Sequence, residues 1–440
     1  MRHVRTWACA RRASLGVLLP IATLSLITAA GGAELAAPAA ASAATARAAS
    51  QSFGRATEIS LPADAAAEPG SGLYGVACAA RGDCTAGGAY RDTSGDNQAV
   101  VVTQTRGKWA RAVKVGLPSN AAEQPYAEVN GVACTSAGNC VAVGYYYTVA
   151  GFDQGFIVTQ VHGKWAQAVQ ARSPANASAA GAELQDVTCT GAGSCEAVGD
   201  YTDGRGHDQG MAVTENRGHW GQARELVMPS NAAANPGVFL TGISCSKAGN
   251  CVAVGSYDND ATNAFFYVAV GVVESGGTWR RATQLKLPRN AAAHDSTLDS
   301  VACSTAGHCL GAGSYDLAHS AYEALADTES NGSWSRSAAV AAKPRHATNT
   351  VLDGIGCATA RLCFGVGGYQ SSSDYLALLL TWSNGRWGHA AGVGLPANAD
   401  TSHPQSFFYQ VSCASDGYCA AVGYYYDKAA VTVPMAATRP

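Results

Sequence analysis

Fourteen of the chain's 15 cysteines fall into seven pairs: Cys78 with Cys84, Cys134 with Cys140, Cys189 with Cys195, Cys245 with Cys251, Cys303 with Cys309, Cys357 with Cys363 and Cys413 with Cys419. Five residues separate the members of every pair. Zinc binding wants closer Cys-x2-Cys spacing and four ligands per site. A redox role wants an exposed, activated thiol, and seven equal copies argue against one. Opposed residues of an antiparallel hairpin lie about 4.5–5.5 Å apart at Cα, within disulfide range. The pairs are therefore expected to be structural disulfides, each contributing roughly 2 kcal/mol or more by closing a short loop. No metal or cofactor is expected.

Carboxylates form the second chemical group. Asp92, Asp96, Asp153, Asp203, Asp208, Asp258, Asp260, Asp374 and Asp427 recur in equivalent loops. Two carboxylates at the right separation perform glycoside hydrolysis, and several in one loop bind calcium. Aspartate also opens tight turns by accepting backbone N–H groups, which is the simpler expectation. Asp258-Asn259-Asp260 lacks the spaced ligands of a full calcium loop. His207-Asp208 is a neighbouring His-Asp pair with no assignable nucleophile. Gly-x-Ser-x-Gly, His-Glu-x-x-His and phosphate-loop motifs are absent. Irregular aromatics, Tyr145, Tyr147, Phe152, Tyr424 and Tyr426, are expected to form a local patch. The binding candidates are therefore Tyr145, Tyr147, Phe152, Asp153, His207, Asp208, Asp258, Asp260, Tyr424 and Tyr426. No residue is assigned to catalysis.

The elements that position these residues follow from a repeat. First cysteines recur with a period near 56 residues, which signals a repeat architecture. A β-branched residue stands two before each: Val76, Val132, Val187, Ile243, Val301, Ile355 and Val411. A Gly-x-Tyr follows each second cysteine, ending at Tyr90, Tyr146, Tyr201, Tyr257, Tyr315, Tyr369 and Tyr425. Trp109, Trp165, Trp220, Trp279, Trp334 and Trp387 come next, each followed by a Leu-Pro-x-Asn or a variant; Lys343-Pro344-Arg345-His346 departs most. Each unit contains four strand-like runs separated by Gly-, Asp- and Asn-rich turns. The first run is expected to end at the first cysteine and the second to start at the second cysteine. The expected fold is all-β: a seven-bladed β-propeller with four-stranded blades. The last unit lacks a tryptophan strand, and Phe53-Gly54-Arg55-Ala56-Thr57 aligns with that strand elsewhere. The N-terminal strand is thus expected to complete the C-terminal blade, removing unpaired edges. A tyrosine needed in every blade is read as packing between blades. Binding is expected on the face opposite the cysteine turns, where the connections are longer and more varied.

The pattern Val-x-Cys-x5-Cys-x-Ala-Val-Gly-x-Tyr resembles a group of repeat proteins secreted by high-GC Gram-positive bacteria. The resemblance spans nearly the whole chain after its leader. It implies secretion and a propeller fold, and it implies no activity. At the level of fold the chain is similar to kelch, WD40 and sialidase propellers, but the Ser-x-Asp-x-Gly-x-x-Trp box of sialidases is absent.

Arg2, Arg5, Arg11 and Arg12 precede an apolar run from Leu15 to about Ala30, and small-x-small triplets follow. This reads as a secretory signal peptide, and the run is short of the ~20 apolar residues of a spanning helix. Residues 1–46 are expected to be signal peptide and linker, and 47–440 one propeller domain. The whole chain carries a net charge of −3. Loss of four arginines and Glu34 takes the mature protein to about −6, which disfavours nucleic acid. The expectation is a secreted, extracellular monomer, free of the membrane once the leader is cleaved. It is read as a non-catalytic binding or scaffolding module for a glycan or a protein. The alternative is a polysaccharide hydrolase or lyase using carboxylates such as Asp153, Asp208 or Asp258.

Overall fold

Each cysteine unit folds into one antiparallel sheet. The computed structural model describes residues 52–440 apart from 260–266, 306, 318–320, 341–343, 345, 373 and 391. The leader and linker at 1–46 and the candidate Asp260 lie outside the described residues. Blade one shows the pattern, with strands Gly72–Ala80, Asp83–Arg91 and Asn97–Thr105 followed by an outer strand in two pieces, Lys108–Trp109 and Val113–Lys114. The seven inner strands are Gly72–Ala80, Glu128–Ser136, Ala177–Gly191, Phe239–Lys247, Ala291–Thr305, Ala347–Thr359 and Ser406–Cys413. Each packs against the next, and the last packs against the first. The described residues form a closed seven-bladed β-propeller, all-β and without a helix.

Closure uses the segment singled out in the sequence. Thr57–Glu58 pairs antiparallel with Thr432–Arg439, in register Thr57 to Ala436. The Gly54 N–H donates to the Thr438 carbonyl at 2.9 Å. Phe53 meets Phe364 of blade six edge-on at 5.5 Å, doing what the tryptophans do elsewhere. They fill the seam towards the preceding blade: a Cβ on Gly271 of blade four would lie 2.3 Å from Nε1 of Trp334 of blade five. Seven apolar clusters each span two neighbouring blades, including the closing seam between blades seven and one.

The repeated polar residues tie strands to connections. Tyr90, Tyr146, Tyr201, Tyr257, Tyr315 and Tyr425 are fully buried. Their hydroxyls donate to Asp64, Asn120, Asn176, Asn231, Asn290 and Asn398 at 2.7–3.3 Å. In six of the seven blades the Asn or Asp of the preceding connection is thus the partner of the buried tyrosine. Tyr369 follows the divergent Lys343-Pro344-Arg345-His346 and is only half-buried.

All seven cysteine pairs are disulfides: Cys78 to Cys84, Cys134 to Cys140, Cys189 to Cys195, Cys245 to Cys251, Cys303 to Cys309, Cys357 to Cys363 and Cys413 to Cys419. Two details correct the sequence-based expectation. The cysteines are directly opposed as expected, but their Cα atoms are closer than 4.5–5.5 Å, at 4.0 Å for Cys303 and Cys309 and 3.9 Å for Cys357 and Cys363. In blades one to six the first strand also ends two residues after its cysteine rather than at it, and the second strand starts one residue before its own. It begins at His308 ahead of Cys309 and at Leu362 ahead of Cys363, since those residues still pair back, with Thr305 and Thr359. Only blade seven begins this strand at the cysteine itself, Cys419. The two sulfurs of a pair differ in setting. Cys84, Cys140, Cys195, Cys251, Cys309, Cys363 and Cys419 are buried, while their partners on the inner strands are half-buried.

Candidate functional site

The inner strands break their regular pairing at one equivalent point. A bulge falls between Leu73 and Gly75, Val129 and Gly131, Leu184 and Asp186, Leu240 and Gly242, Leu298 and Ser300, Leu352 and Gly354, and Phe408 and Gln410. The residue before each bulge is fully buried. The extra residue is Tyr74, Asn130, Gln185, Thr241, Asp299, Asp353 or Tyr409. All of these are half-buried except Tyr409, which is buried. The bulge drives an inner-strand carbonyl towards the facing strand. A Cβ on the glycine of Gly-x-Tyr would lie 1.8–2.1 Å from that oxygen in all seven blades. The motif glycine is therefore dictated by the bulge.

Sitting on the innermost strand near its loop-face end, the seven bulged residues ring the axis. Neighbours touch: the Tyr74 and Tyr409 rings are 5.2 Å apart, and Asn130 Nδ2 donates to Gln185 Oε1 at 3.2 Å. One position further along the strands, Gln410 Nε2 reaches across blade six to Ser300 Oγ at 3.3 Å. Gly354 permits this, since a Cβ there would lie 2.8 Å from Gln410 Oε1. Asp186 lies at the same level, enclosed by protein yet still touched by solvent. It accepts N–H bonds from Val187 and, across the seam, Ile243. Burial pushes its carboxyl up to about 7.

On one side of this ring the aromatics converge. Tyr375 of blade six stacks on Phe407 of blade seven at 5.7 Å, and Phe407 lies 4.9 Å from Tyr409. Tyr424 stacks on Phe407 at 6.3 Å, stands 5.8 Å from Tyr409 and leads on to Tyr426 at 6.2 Å. Gly368 makes room, since a Cβ there would lie 2.5 Å from both the Phe407 and Tyr375 rings. Burial, then Tyr426 and Asp353, raise the Tyr424 phenol well above its ordinary value. It stays a hydrogen-bond donor at any ordinary pH.

The expected patch is two groups. Tyr424 and Tyr426 belong to this crescent. Tyr147 meets Tyr126 at 5.3 Å on blade two, where Tyr145 pairs across to Glu128 and Phe152 is exposed. Blade one separates the groups because it carries Ala89 and Arg91 where its neighbours carry tyrosines. Asp153 and Asp258 are buried. Asp208 accepts from Thr202 Oγ1 at 3.0 Å, whereas His207 Nδ1 faces Asp203 at 3.8 Å, so the neighbouring pair diverges. Asp208, Asp258 and Asp295 all act on Tyr267, whose phenol is pushed up to about 12, chiefly by burial. Asp92, Asp203 and Asp427 each accept two N–H groups of their own loop, the turn role expected of them. Among the described residues, no group of three or more His, Cys, Asp or Glu is placed to hold a metal ion. No described helix is long and apolar enough to cross a membrane.

Sequence reasoning passed over Tyr74, Asn130, Gln185, Thr241, Asp299, Asp353, Tyr375, Phe407 and Tyr409. A signal existed for the bulged set. Each lies four residues before a first cysteine, between a large apolar residue that never varies in character and a tight position that is glycine in four blades.

The class is thus a closed, disulfide-stapled seven-bladed propeller. No family model and no curated protein matches the chain. Among solved structures it is similar to a polysaccharide lyase of family PL25, an ulvan lyase. That match has a TM-score of 0.51 and 10% identity, over 87% of this chain and 93% of that one. It is also similar to a protein of unknown function from Dyadobacter fermentans (TM-score 0.48, 9% identity, 88% and 98% covered). A fucose-specific lectin from Aleuria aurantia gives TM-score 0.39 and 13% identity, over 76% and 99%. At these identities the likeness is one of fold.

Proposed function

We propose that this protein is an extracellular glycan-binding propeller that recognises its ligand at the axial mouth on the loop face. One observation carries the reading. Seven bulges hold seven side chains in equivalent places on a repeated frame, and there the blades differ in chemistry: aromatic, amide, hydroxyl and carboxylate. Beside them six aromatic rings gather over blades six, seven and one. Aromatic faces with a few convergent polar groups are the make-up of a small-molecule site, and tyrosine couples an apolar face to a polar tip. Seven disulfides suit an oxidising, extracellular setting. The fold likeness to a polysaccharide lyase agrees with this reading without carrying it.

Charge narrows the ligand. The three residues leading up to and including each bulged position include Glu128, Glu183, Asp299 and Asp353, and no Lys, Arg or His. Acidic sugars meet like charge there, so the ligand is a neutral or amino-bearing glycan. A glycan array with the secreted protein tests this. Binding that Tyr426→Ala or Asp353→Asn weakens at least tenfold supports the reading; no binding, or a preference for uronic or sulfated glycans, overturns it.

The hydrolase or lyase alternative keeps one specific footing, Asp208 and Asp258 around Tyr267. Proton abstraction asks for a base titrating near the working pH, and the raised phenol of Tyr267 is the reverse. Release of shorter sugars from a bound polysaccharide would nevertheless replace the non-catalytic reading.

A further inference from the structure

Tyr126 is held in a conformation that its side chain disfavours. Its φ is +42°, in the left-handed region, where a bulky residue is an outlier. Two other blades place glycine at the equivalent turn, Gly70 at +50° and Gly237 at +49°, each after a proline as Tyr126 follows Pro125. The strain is not repaid by burial, because Tyr126 is 48% exposed. It lies against Tyr147, with ring centres 5.3 Å apart. Phe152, 39% exposed, belongs to the loop between the second and third strands of the same blade. Tyrosine thus stands exposed at a turn that glycine fills in two other blades, with its ring against that of Tyr147.

We propose that Tyr126, Tyr147 and Phe152 form a second sugar-stacking platform, and that the ligand is therefore a polysaccharide chain rather than a terminal mono- or disaccharide. This rests on the glycan reading above. The platform faces the same side as the aromatic crescent. Blade one, whose Tyr74 touches the crescent, stands between them, so the crescent and the platform flank it on the same side of the ring. The fixed tilt of Tyr126 on Tyr147 offers a preformed surface to a sugar ring, which lowers the ordering cost of binding. Two linked subsites make the second contact intramolecular, so affinity should climb with chain length once a chain spans both.

The test uses the secreted full-length propeller with glucose and N-acetylglucosamine β-1,4 oligomers of two to eight sugars, alongside any neutral glycan that an array returns. Affinity should rise at least tenfold between the shortest and longest chains. Tyr126→Gly should abolish that rise, leave disaccharide binding unchanged and keep or raise the melting temperature, because glycine relieves the strain. Phe152→Ala should reproduce the binding effect. Equal affinity for all lengths, or a Tyr126→Gly protein that melts earlier and loses short oligomers too, overturns the second platform while the axial site stands. Absence of glycan binding in the unaltered protein removes both.

Discussion

The Tyr425 hydroxyl donates to Glu58 Oε2 at 2.9 Å, joining residues 367 positions apart. Asn398 Oδ1 accepts from the same hydroxyl, also at 2.9 Å. A carboxylate from the N-terminal strand thereby enters a polar cluster that in blades two to four is built from consecutive chain, with Gln170, Glu225 and Gln284 in the equivalent place. The ring is clasped by one buried tyrosine as well as by strand pairing.

Weakening that clasp should loosen blade seven first. Phe53 is half-buried, so Phe53→Ala should cost roughly half of the ~3–5 kcal/mol of a fully buried phenylalanine. Hydrogen exchange should then rise in Cys419–Tyr426 and Thr432–Arg439 before blades three and four respond. Uniform exchange across the ring would show that the N-terminal strand is not a separate latch.

The motif glycines should be intolerant for a reason unrelated to flexibility. In Gly144→Ala the new methyl would sit 1.8 Å from the Glu128 carbonyl oxygen, and relief requires the bulge at Asn130 to shift. A loss on the order of 3 kcal/mol is expected in denaturant unfolding. Gly191→Ala meets nothing within 4 Å and should be close to neutral. Similar losses for both would remove the bulge explanation.

Tyrosine hydroxyls should matter in proportion to their partners. Tyr146→Phe leaves Asn120 and Gln170 without the donor they share and should cost about 1 kcal/mol. Tyr369 is half-buried, and its hydroxyl bonds no described residue, so Tyr369→Phe should cost clearly less. Thermal unfolding of the two proteins side by side decides it.

Glu196 should make stability depend on pH. In the seam between blades three and four, burial pushes its carboxyl up to about 7, and the neighbouring Glu274 adds to the rise. The folded state then keeps a proton that the unfolded chain gives up above about 4.5. The associated stability is complete below that pH and is lost as pH rises through 7. Glu196→Gln stays neutral throughout, and its amide oxygen can accept from Thr214 Oγ1 as Glu196 Oε1 does at 3.0 Å. The variant should match the parent near pH 4 and exceed it by on the order of 1–3 kcal/mol at pH 8. A gap that does not change between those two pH values would mean that Glu196 ionises normally.

The blade count, the disulfide pairing and the site of ring closure were all legible in the chain, because each rests on local spacing that repeats seven times. A cysteine pair across a turn, such as Cys303 with Cys309 or Cys357 with Cys363, needs no distant partner to be read. Phe53 in place of a tryptophan could be aligned by eye. The Gly-x-Tyr motif was visible too, but its two halves have separate causes. Tyrosine is there to reach the Asn of the preceding connection, whereas glycine makes way for a bulged carbonyl on the facing strand.

The candidate site was hidden by the same regularity. Comparing units draws attention to what recurs, while the seven bulged residues carry information by differing. Tyr74 and Tyr409 stand at opposite ends of the chain, and they meet only because blade seven closes onto blade one. The sequence by itself determined the unit, its staples and the number of copies, since strand pattern and hairpin bonds are local. Tertiary structure alone decided which side chains face one another around the axis, because that depends on register, on a bulge no propensity announces, and on closing the ring.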